Sequence, residues 1–299
     1  MHSITPTQFS ELWASINEEL NAWDKNWPVK VEELDQLSRV RDRRRGRTFS
    51  DEEIFEGIVK AVLSNATDWS GIQKLLPELS QRFVGFDVAW YSRLTKADIA
   101  NDLVPWFRSH GAGAQYLERN LNLLVRTAAK LVNRKAQYGD LENYLGGLLK
   151  QLNGDSNCLA KALGASSGHK LDGLGIPIAA EALKYIGYDV GKPDRHINRA
   201  FGSFDLQAFR NWPDRSGTKA PVATRTELLS VMYELGKFAD HLEVEATLVD
   251  NAIWLLCARS GAYLSNEKLS RIGARMPNPA AQWTLRDKAA ESPDFEPST

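Results

Sequence analysis

Apolar residues recur at intervals of three and four along most of this chain, and no segment alternates apolar and polar residues as a half-buried strand would. Residues 8–22 show the helical pattern, and Ser50 with Glu53 forms a capping-box signature for the predicted helix 52–65. The sequence therefore predicts an all-α protein with about ten helices. The other predicted helical segments are 66–83, 95–113, 115–134, 139–152, 226–240 and 243–263.

Composition and charge exclude several classes of protein. The 299 residues suffice for one large domain or two small ones, and the net charge of −1 gives no global attraction for nucleic acid. The two cysteines, Cys158 and Cys257, exclude a disulfide scaffold and a four-cysteine zinc or iron–sulfur site. No signal peptide and no apolar run of about 18 residues is present. We expect no membrane association and a reducing compartment, either the cytoplasm, with the bacterial nucleoid, or a nucleus.

The chain divides into three parts by composition. Residues 1–49 contain an amphipathic helix and an arginine-rich segment, residues 50–275 form the predicted core, and residues 276–299 form a polar tail expected to be partly disordered. The arginine-rich segment has two interpretations, a solvated charged face or loop, and an arm that contacts phosphates. Its arginines are Arg39, Arg41, Arg43, Arg44, Arg45 and Arg47.

A glycine hairpin is predicted at Leu171-Asp172-Gly173-Leu174-Gly175, between two helical segments. The second helix has Pro177 in its first turn, where a missing N–H costs nothing. Glycines permit a tight turn and leave backbone N–H groups uncovered, which together with a helix N-terminus can bind an anion such as a phosphate. Many helix–helix turns contain the same spacing and bind nothing.

A single carboxylate, Asp194, stands at the start of the next predicted helix. Gly187 ends the preceding helix, and Lys192-Pro193 leads into the new one. Asp at such a position is most often only an N-cap. The alternative is a catalytic carboxylate, kept ionised by the helix N-terminus and by the neighbouring Arg195, and able to face a developing cation.

These residues resemble the helix-hairpin-helix DNA glycosylase superfamily, which includes endonuclease III and the alkyl-purine glycosylases. The hairpin and the run Pro193-Asp194-x-His196-Ile197-x-Arg199 are similar to its signatures "LPGxGxxTA" and "VDTHVxR". Segments 55–75 and 94–124 are similar to earlier helices of the family, in the same order. The resemblance covers about residues 50–202, with a looser match near 249–263. It implies an all-α fold of two helical subdomains with the active site in the cleft between them.

The resemblance also implies roles for individual residues. Asp194 matches the catalytic aspartate of the family, and the hairpin matches the element that grips a DNA phosphate and often holds a monovalent cation. Trp69 is a weak candidate for stacking on a flipped base. The candidate DNA contacts are Gly173, Leu174, Gly175, Asn65, Lys192, His196 and Arg199.

Two departures from the family pattern shape the predicted activity. Pro177 occupies the position where bifunctional members have a lysine nucleophile, and Lys170, Lys184 and Lys192 are out of register. The cysteines that bind an iron–sulfur cluster in many members are absent. The implied function is a monomeric, monofunctional glycosylase without a cofactor or resident metal, acting on double-stranded DNA with a damaged or modified base and leaving an abasic site. The alternatives are a non-catalytic DNA-binding protein with the same hairpin, and an unrelated helical protein.

Overall fold

The structure is a computed structural model that describes residues 5–64, 69–112, 116–166 and 168–275. Within these ranges all regular secondary structure is helical, in agreement with the predicted class. A 3₁₀ turn at Val84–Phe86 and a π-helical turn at Ile99–Leu103 join some of the helices. The α-helices described are α1 Pro6–Trp23, α2 Trp27–Glu32, α3 Gln36–Arg44, α4 Asp51–Leu63, α5 Trp69–Arg82, α6 Val88–Tyr91, α7 Lys96–Asp98, α8 Val104–Ser109, α9 Leu117–Tyr138, α10 Leu141–Gln151, α11 Ser156–Ala165, α12 Ile176–Tyr185, α13 Arg195–Ser203, α14 Arg225–Leu242, α15 Ala246–Cys257 and α16 Asn266–Gly273.

Local capping explains where several helices begin. The predicted capping box is confirmed, because the Ser50 hydroxyl accepts from the Glu53 amide and the Glu53 carboxylate accepts from the Ser50 amide. Thr95 and Asp98 form the same reciprocal pair in front of α7. These contacts satisfy N–H groups that have no partner inside the helix, so the sequence signal and the observed helix start have the same physical cause.

The helices enclose two hydrophobic clusters. The first is built mainly from α4–α12 and includes Phe55 and Leu183. The second joins α1–α3 to α13–α16 and includes Leu12 and Phe201. The helices of residues 1–49 supply part of the second cluster, since Leu12, Ile16 and Leu20 are fully buried there.

Helix α12 packs closely on both α4 and α11, and glycines permit these contacts. A Cβ atom at Gly164 of α11 would lie 2.7 Å from the backbone nitrogen of Ile176. A Cβ atom at Gly57 of α4 would lie 3.0 Å from a side-chain carbon of Ile186. The two glycines therefore fix how closely α12 approaches its neighbours, and with it the position of the hairpin that precedes α12.

The arginine-rich segment is a set of internal ion pairs. Arg39 pairs with Asp35 and Glu56, and the guanidinium of Arg43 binds both oxygens of Glu142 on α10. The arginines at 41, 44, 45 and 47 also pair with carboxylates of this chain. All six arginines thus have acidic partners within the protein, as expected if the segment is a charged face. Arg44, Arg45 and Arg47 remain largely exposed, so the phosphate-contacting arm stays a prediction.

No helix in the described ranges has both the length and the apolar character needed to cross a membrane. Residues 276–299, predicted as a polar tail, lie outside the described residues.

Candidate functional site

The predicted glycine hairpin joins α11 to α12. Gly173 has a φ of +79°, a conformation that glycine adopts without the strain other residues incur. Gly173 and Gly175 are exposed, and Gly175 is the N-cap of α12 without a side chain to cap it. In the described part of the chain, the N–H groups of Gly173, Gly175 and Ile176 have no acceptor. The hairpin therefore presents free backbone donors at a helix N-terminus, an arrangement suited to an anion.

Helix α9 supports the hairpin along one face. The Thr127 hydroxyl donates to the carbonyl of Asp172 over 2.8 Å, and Leu123 packs against Gly173. Lys130 Nζ donates to the carbonyl of Lys170 over 3.0 Å and lies 2.8 Å from the Asp172 carboxylate. Arg134 donates to the carbonyl of Gly168 over 2.7 Å. The turn is thus held by several bonds to a long helix.

A stripe of cations runs along the same face of α9. Arg119, Arg126, Lys130 and Arg134 lie within about 80° of the helix circumference and span about 22 Å of its length. Glu118, the acid of α9, lies about 100° around the helix from Arg119. We call these four residues the α9 stripe. It brings positive charge beside the free amides of the hairpin, although the net charge of the chain is −1.

Leu174 has a different place from the other hairpin residues. Its side chain is 1% exposed and belongs to the first hydrophobic cluster, so only its backbone is available for the DNA contact expected from the sequence. Leu171 is buried in the same way. The alternation of buried leucines and exposed glycines directs the glycine backbone outward and anchors the turn from below.

Asp194 is the N-cap of α13, as the sequence predicted. Its Oδ1 accepts hydrogen bonds from the amides of His196, at 2.7 Å, and Ile197, at 3.2 Å. Its Oδ2 lies 3.5 Å from Nζ of Lys192. The two oxygens therefore have different environments, one bound to the helix start and the other facing an ammonium group.

These surroundings keep Asp194 ionised. Burial favours the neutral acid, but the charges of Lys192 and His196 and the two amide donors outweigh burial and lower the pKa of Asp194 below its ordinary value. The side chain remains 15% exposed. The site thus offers a carboxylate that is negative at neutral pH and is only partly covered, as required of a group that stabilises a developing cation.

His196, Arg199 and Lys192 were expected to contact DNA, and the structure places them differently. His196 is half-buried, and its ring meets Trp254 edge to face with centroids 6.4 Å apart. Arg199 is 1% exposed and donates to the carbonyl of Cys257 over 3.0 Å, so a DNA contact by its side chain is wrong for this structure. Lys192 is largely buried against the carboxylates of Glu181 and Asp194.

Two further candidates are not described by the structure. Asn65 lies outside the described residues, and Trp69 begins α5 with its side chain outside the description. Their expected roles stay predictions.

The described residues include no group of three or more His, Cys, Asp or Glu side chains that could hold a metal ion. A monovalent cation bound through Lys170 or Asp172 would compete with the Lys130 ammonium already at the hairpin. The expected cation therefore stays a prediction.

Three charged residues beside Asp194 were not predicted to belong to the site. Glu181 and Lys184 lie on α12 and Asp250 lies on α15, and all three are buried. A signal was present, since each interrupts an otherwise apolar helix, in IPIAAEALKY and in ATLVDNAIWLLC. Buried charges of this kind are rare unless they are paired, so a charged residue within an apolar helix indicates an oppositely charged partner nearby.

A scan against protein-family models finds no match, and a search of curated proteins also finds none. Solved structures do match. The 8-oxoguanine glycosylase/lyase of Methanocaldococcus jannaschii, in complex with 15mer DNA containing 8-oxoguanine, has a TM-score of 0.53 at 15% identity, covering 83% of this chain and 99% of that one. A second structure of the 8-oxoguanine DNA glycosylase of that organism has a TM-score of 0.52 at 16% identity, covering 81% and 91%.

The similarity spans about four fifths of this chain and 99% and 91% of the two matched chains. At this level of identity it establishes the architecture, and this chain has the fold of the helix-hairpin-helix DNA glycosylases.

Proposed function

We propose that this protein is a monofunctional DNA glycosylase that flips a damaged or modified base out of duplex DNA and hydrolyses its N-glycosidic bond. The product would be a free base and an abasic site. The observation that carries the proposal is Asp194, an ionised and partly accessible carboxylate at the start of α13, in a chain with a DNA glycosylase fold.

The chemistry follows from the charge of Asp194. As the base departs, the deoxyribose gains oxocarbenium character, and a fixed carboxylate stabilises this cation or activates the attacking water. The hydrogen bonds to Oδ1 hold the group without reorganisation, while Oδ2 is not bound by the helix start. Asp194 is thus oriented to act on a sugar brought to α13.

The DNA backbone would be held by the hairpin and the α9 stripe. Free amides at Gly173, Gly175 and Ile176 suit one phosphate, and the stripe suits neighbouring phosphates of the same strand. Contacts of this kind position the duplex and carry no sequence information. Selectivity would then come from the base itself, through how easily it flips and how well it leaves.

The assignment of hydrolysis without strand cleavage depends on the lysines. A Schiff-base mechanism needs an amine that can lose its proton and reach C1′. Pro177 replaces the lysine of the family pattern, and Lys184 is buried in ion pairs that raise its pKa. Lys192 also has a raised pKa because of Glu181 and Asp194, although burial opposes this. The M. jannaschii protein is a glycosylase/lyase, so the experiment that tests the proposal must also detect strand cleavage.

The test compares wild type with Asp194→Asn. Asparagine is also a good N-cap, so this change removes the charge and retains a hydrogen-bond acceptor for the helix start. Asp87→Asn is a matched control, because Oδ1 of Asp87 also accepts two amides, at 2.8 Å and 3.1 Å, at the start of α6. The substrates are duplexes with 8-oxoguanine, uracil, alkylated, deaminated, mismatched or hypermodified bases, assayed with and without hot alkali.

Alkali-dependent breaks made by wild type and Asp87→Asn but not by Asp194→Asn would support the proposal and identify the base. Breaks without alkali would show lyase activity and contradict the monofunctional assignment. DNA binding in both proteins with no base released from any duplex would favour the non-catalytic DNA-binding alternative.

A further inference from the structure

Beneath Asp194 lies a closed ring of four alternating charges. Glu181 Oε2 lies 3.1 Å from Lys184 Nζ and 3.6 Å from Lys192 Nζ. Lys184 Nζ also pairs with Oδ2 of Asp250, and Oδ1 of Asp250 accepts from the backbone amide of Lys192 over 3.2 Å. We call these four residues the charge ring. The ring closes at Lys192, whose ammonium lies near Glu181 and whose backbone amide donates to Asp250.

The ring joins the two hydrophobic clusters of the protein. Glu181 and Lys184 belong to α12, which packs in the first cluster, and Asp250 belongs to α15, which packs in the second. Gln36 of α3 donates to Glu181 over 2.9 Å, and Lys184 donates to Asn251 over 3.2 Å. The segment that presents Asp194 is therefore tied to three helices that lie in different parts of the fold.

Stability alone does not account for such a ring. Side chains of Glu181, Lys184 and Asp250 are 9%, 3% and 2% exposed, so each ion has lost most of its hydration. Buried ion pairs are often no more stabilising than well-packed apolar residues of similar volume. Their particular effect is on conformation. A buried charge without a partner is strongly disfavoured, so the chain is restricted to arrangements in which every charge is paired.

We propose that the charge ring is a positioning device that holds the Lys192 ammonium against Oδ2 of Asp194, with Lys192 as the positioning residue. Glu181 keeps the ammonium at the base of α13, and Asp250 fixes the backbone of Lys192 two residues before the carboxylate. Asp194 would then stay charged and oriented when DNA covers the site and removes water. The role in catalysis rests on the proposed function, whereas the electrostatic link between Lys192 and Asp194 does not.

The first experiment measures this link without any enzymatic assay. The Asp194 carboxyl is titrated by NMR in protein with ¹³C-labelled aspartate, its signal being assigned by its absence in Asp194→Asn. Asp194 faces Lys192, His196, Asp250 on α15 and Cys257 at the end of α15. Removing the Lys192 charge by Lys192→Gln should raise the pKa of Asp194 by about one unit or more. Lys192→Arg should recover part of that change.

Lys60→Gln is the matched control. Lys60 is also mostly buried and lies 2.9 Å from a glutamate, Glu56, but on α4 away from Asp194. It should leave the pKa of Asp194 unchanged while it perturbs folding to a similar degree, which thermal unfolding of each variant would measure. An unchanged pKa of Asp194 in folded Lys192→Gln would overturn the proposal. If Lys192→Gln does not fold, Lys192→Met takes its place, and an unchanged pKa of Asp194 in that variant would overturn the proposal.

The second experiment uses the substrate identified by base release. Lys192→Gln and Glu181→Gln should lower kcat roughly tenfold and leave KM for DNA within about twofold, because the ring acts on the carboxylate rather than on DNA contact. Equal losses in Lys60→Gln, or wild-type kcat in Glu181→Gln, would overturn the ring as a positioning device. If wild type releases no base, the proposed function fails, while the titration still tests the link between Lys192 and Asp194.

Discussion

The Lys130 ammonium lies 2.8 Å from the Asp172 carboxylate, across the gap between α9 and the hairpin. An acid in a loop suited to phosphate would otherwise repel its ligand, so the lysine neutralises the one carboxylate of the turn. Both groups are partly exposed, and their attraction by itself contributes little to folding. We therefore expect the pair to affect the binding of DNA more than the stability of the fold.

Lys130→Ala should therefore weaken binding of duplex DNA more than the loss of an ordinary surface lysine. It removes one cation of the α9 stripe and leaves Asp172 uncompensated, so we expect roughly a tenfold loss of affinity at low salt and a smaller salt slope. Fluorescence anisotropy over a range of salt concentrations measures both. Lys268→Ala, an exposed lysine on α16, is the control.

The double variant Lys130→Ala/Asp172→Asn should recover part of that affinity, because the repelling carboxylate is gone. Equal losses in Lys130→Ala and Lys268→Ala would show that the pair has no special relation to DNA.

Gly164→Ala should destabilise the protein by about 1–3 kcal/mol, because the new Cβ atom meets backbone that has no rotamer to adjust. The added atom would lie 2.7 Å from the nitrogen of Ile176 and 2.8 Å from the carbonyl carbon of Gly175. Urea unfolding with a common m value measures the change. DNA affinity should fall as well, since Gly175 belongs to the hairpin.

Gly147→Ala is the contrasting variant within α10, where a Cβ atom would have no neighbour within 4 Å. Alanine is the better helix former, so this change should stabilise the protein by about 0.5–1 kcal/mol. A loss of stability in both variants would mean that close packing at Gly164 is not the cause.

Arg43→Lys should be destabilising although the charge is retained. The guanidinium binds both oxygens of Glu142, donates to the carbonyl of Ile186 over 2.9 Å, and lies 4.2 Å from the ring centroid of Tyr188. An ammonium cannot make two parallel bonds and stack on an aromatic ring at once, so we expect a loss of about 1–3 kcal/mol. Thermal unfolding should show a lower Tm.

Arg45→Lys serves as the comparison, because that side chain is 76% exposed and pairs only loosely, at 3.6 Å, with Asp42. Its Tm should stay within about a degree of wild type, as expected for a surface ion pair. The same Tm in both variants would argue against Arg43 as a structural link between α3 and α10.

The raised pKa of Asp250 should make the stability of the protein depend on pH. Burial raises the pKa of its carboxyl to about 6 in the folded protein, although the charge of Lys184 opposes this. In the unfolded chain the pKa is about 3.9. Between these values the folded state binds a proton that the unfolded state does not, so the contribution of this group is present below about pH 4 and is lost as the pH rises through about 6.

The measurement compares the free energy of unfolding of wild type with that of Asp250→Asn at several pH values. The difference, wild type minus variant, should fall by about 1–3 kcal/mol between pH 4 and pH 6.5. Glu181 and Asp194 are present in both proteins, so their contributions to the pH dependence largely cancel in this difference. A difference that stays constant with pH would mean that the pKa of Asp250 is unshifted in the folded protein, and a difference that rises with pH would mean that it is lowered.

The helices and the hairpin could be predicted because their signals act over a few residues. Ser50 and Glu53 are three positions apart and cap α4 directly, and Gly173 adopts a conformation that few other residues tolerate. Asp194 at the start of α13 follows from the same local rules. Such features depend on the backbone within one turn, so one sequence is enough to identify them.

The pairing of charges could not be predicted in this way. The arginine-rich segment suited phosphate as well as it suited carboxylates, and only the packing of α3 brought Glu142 to Arg43. Arg199 stands in the sequence as a DNA contact would, yet the helix turns it into the second cluster. The partner of a charged residue depends on helices far away in the chain.

The sequence by itself determined that this chain is helical, where a glycine hairpin would form, and which carboxylate would stand at the helix after it. The tertiary structure decided that α1–α3 complete the second cluster, that Lys192 faces Asp194, and that Glu181, Lys184 and Asp250 close a ring beneath it. The physical reason is range, because hydrogen bonds of caps and turns join near neighbours, whereas burial and charge pairing join residues that only the folded chain brings together.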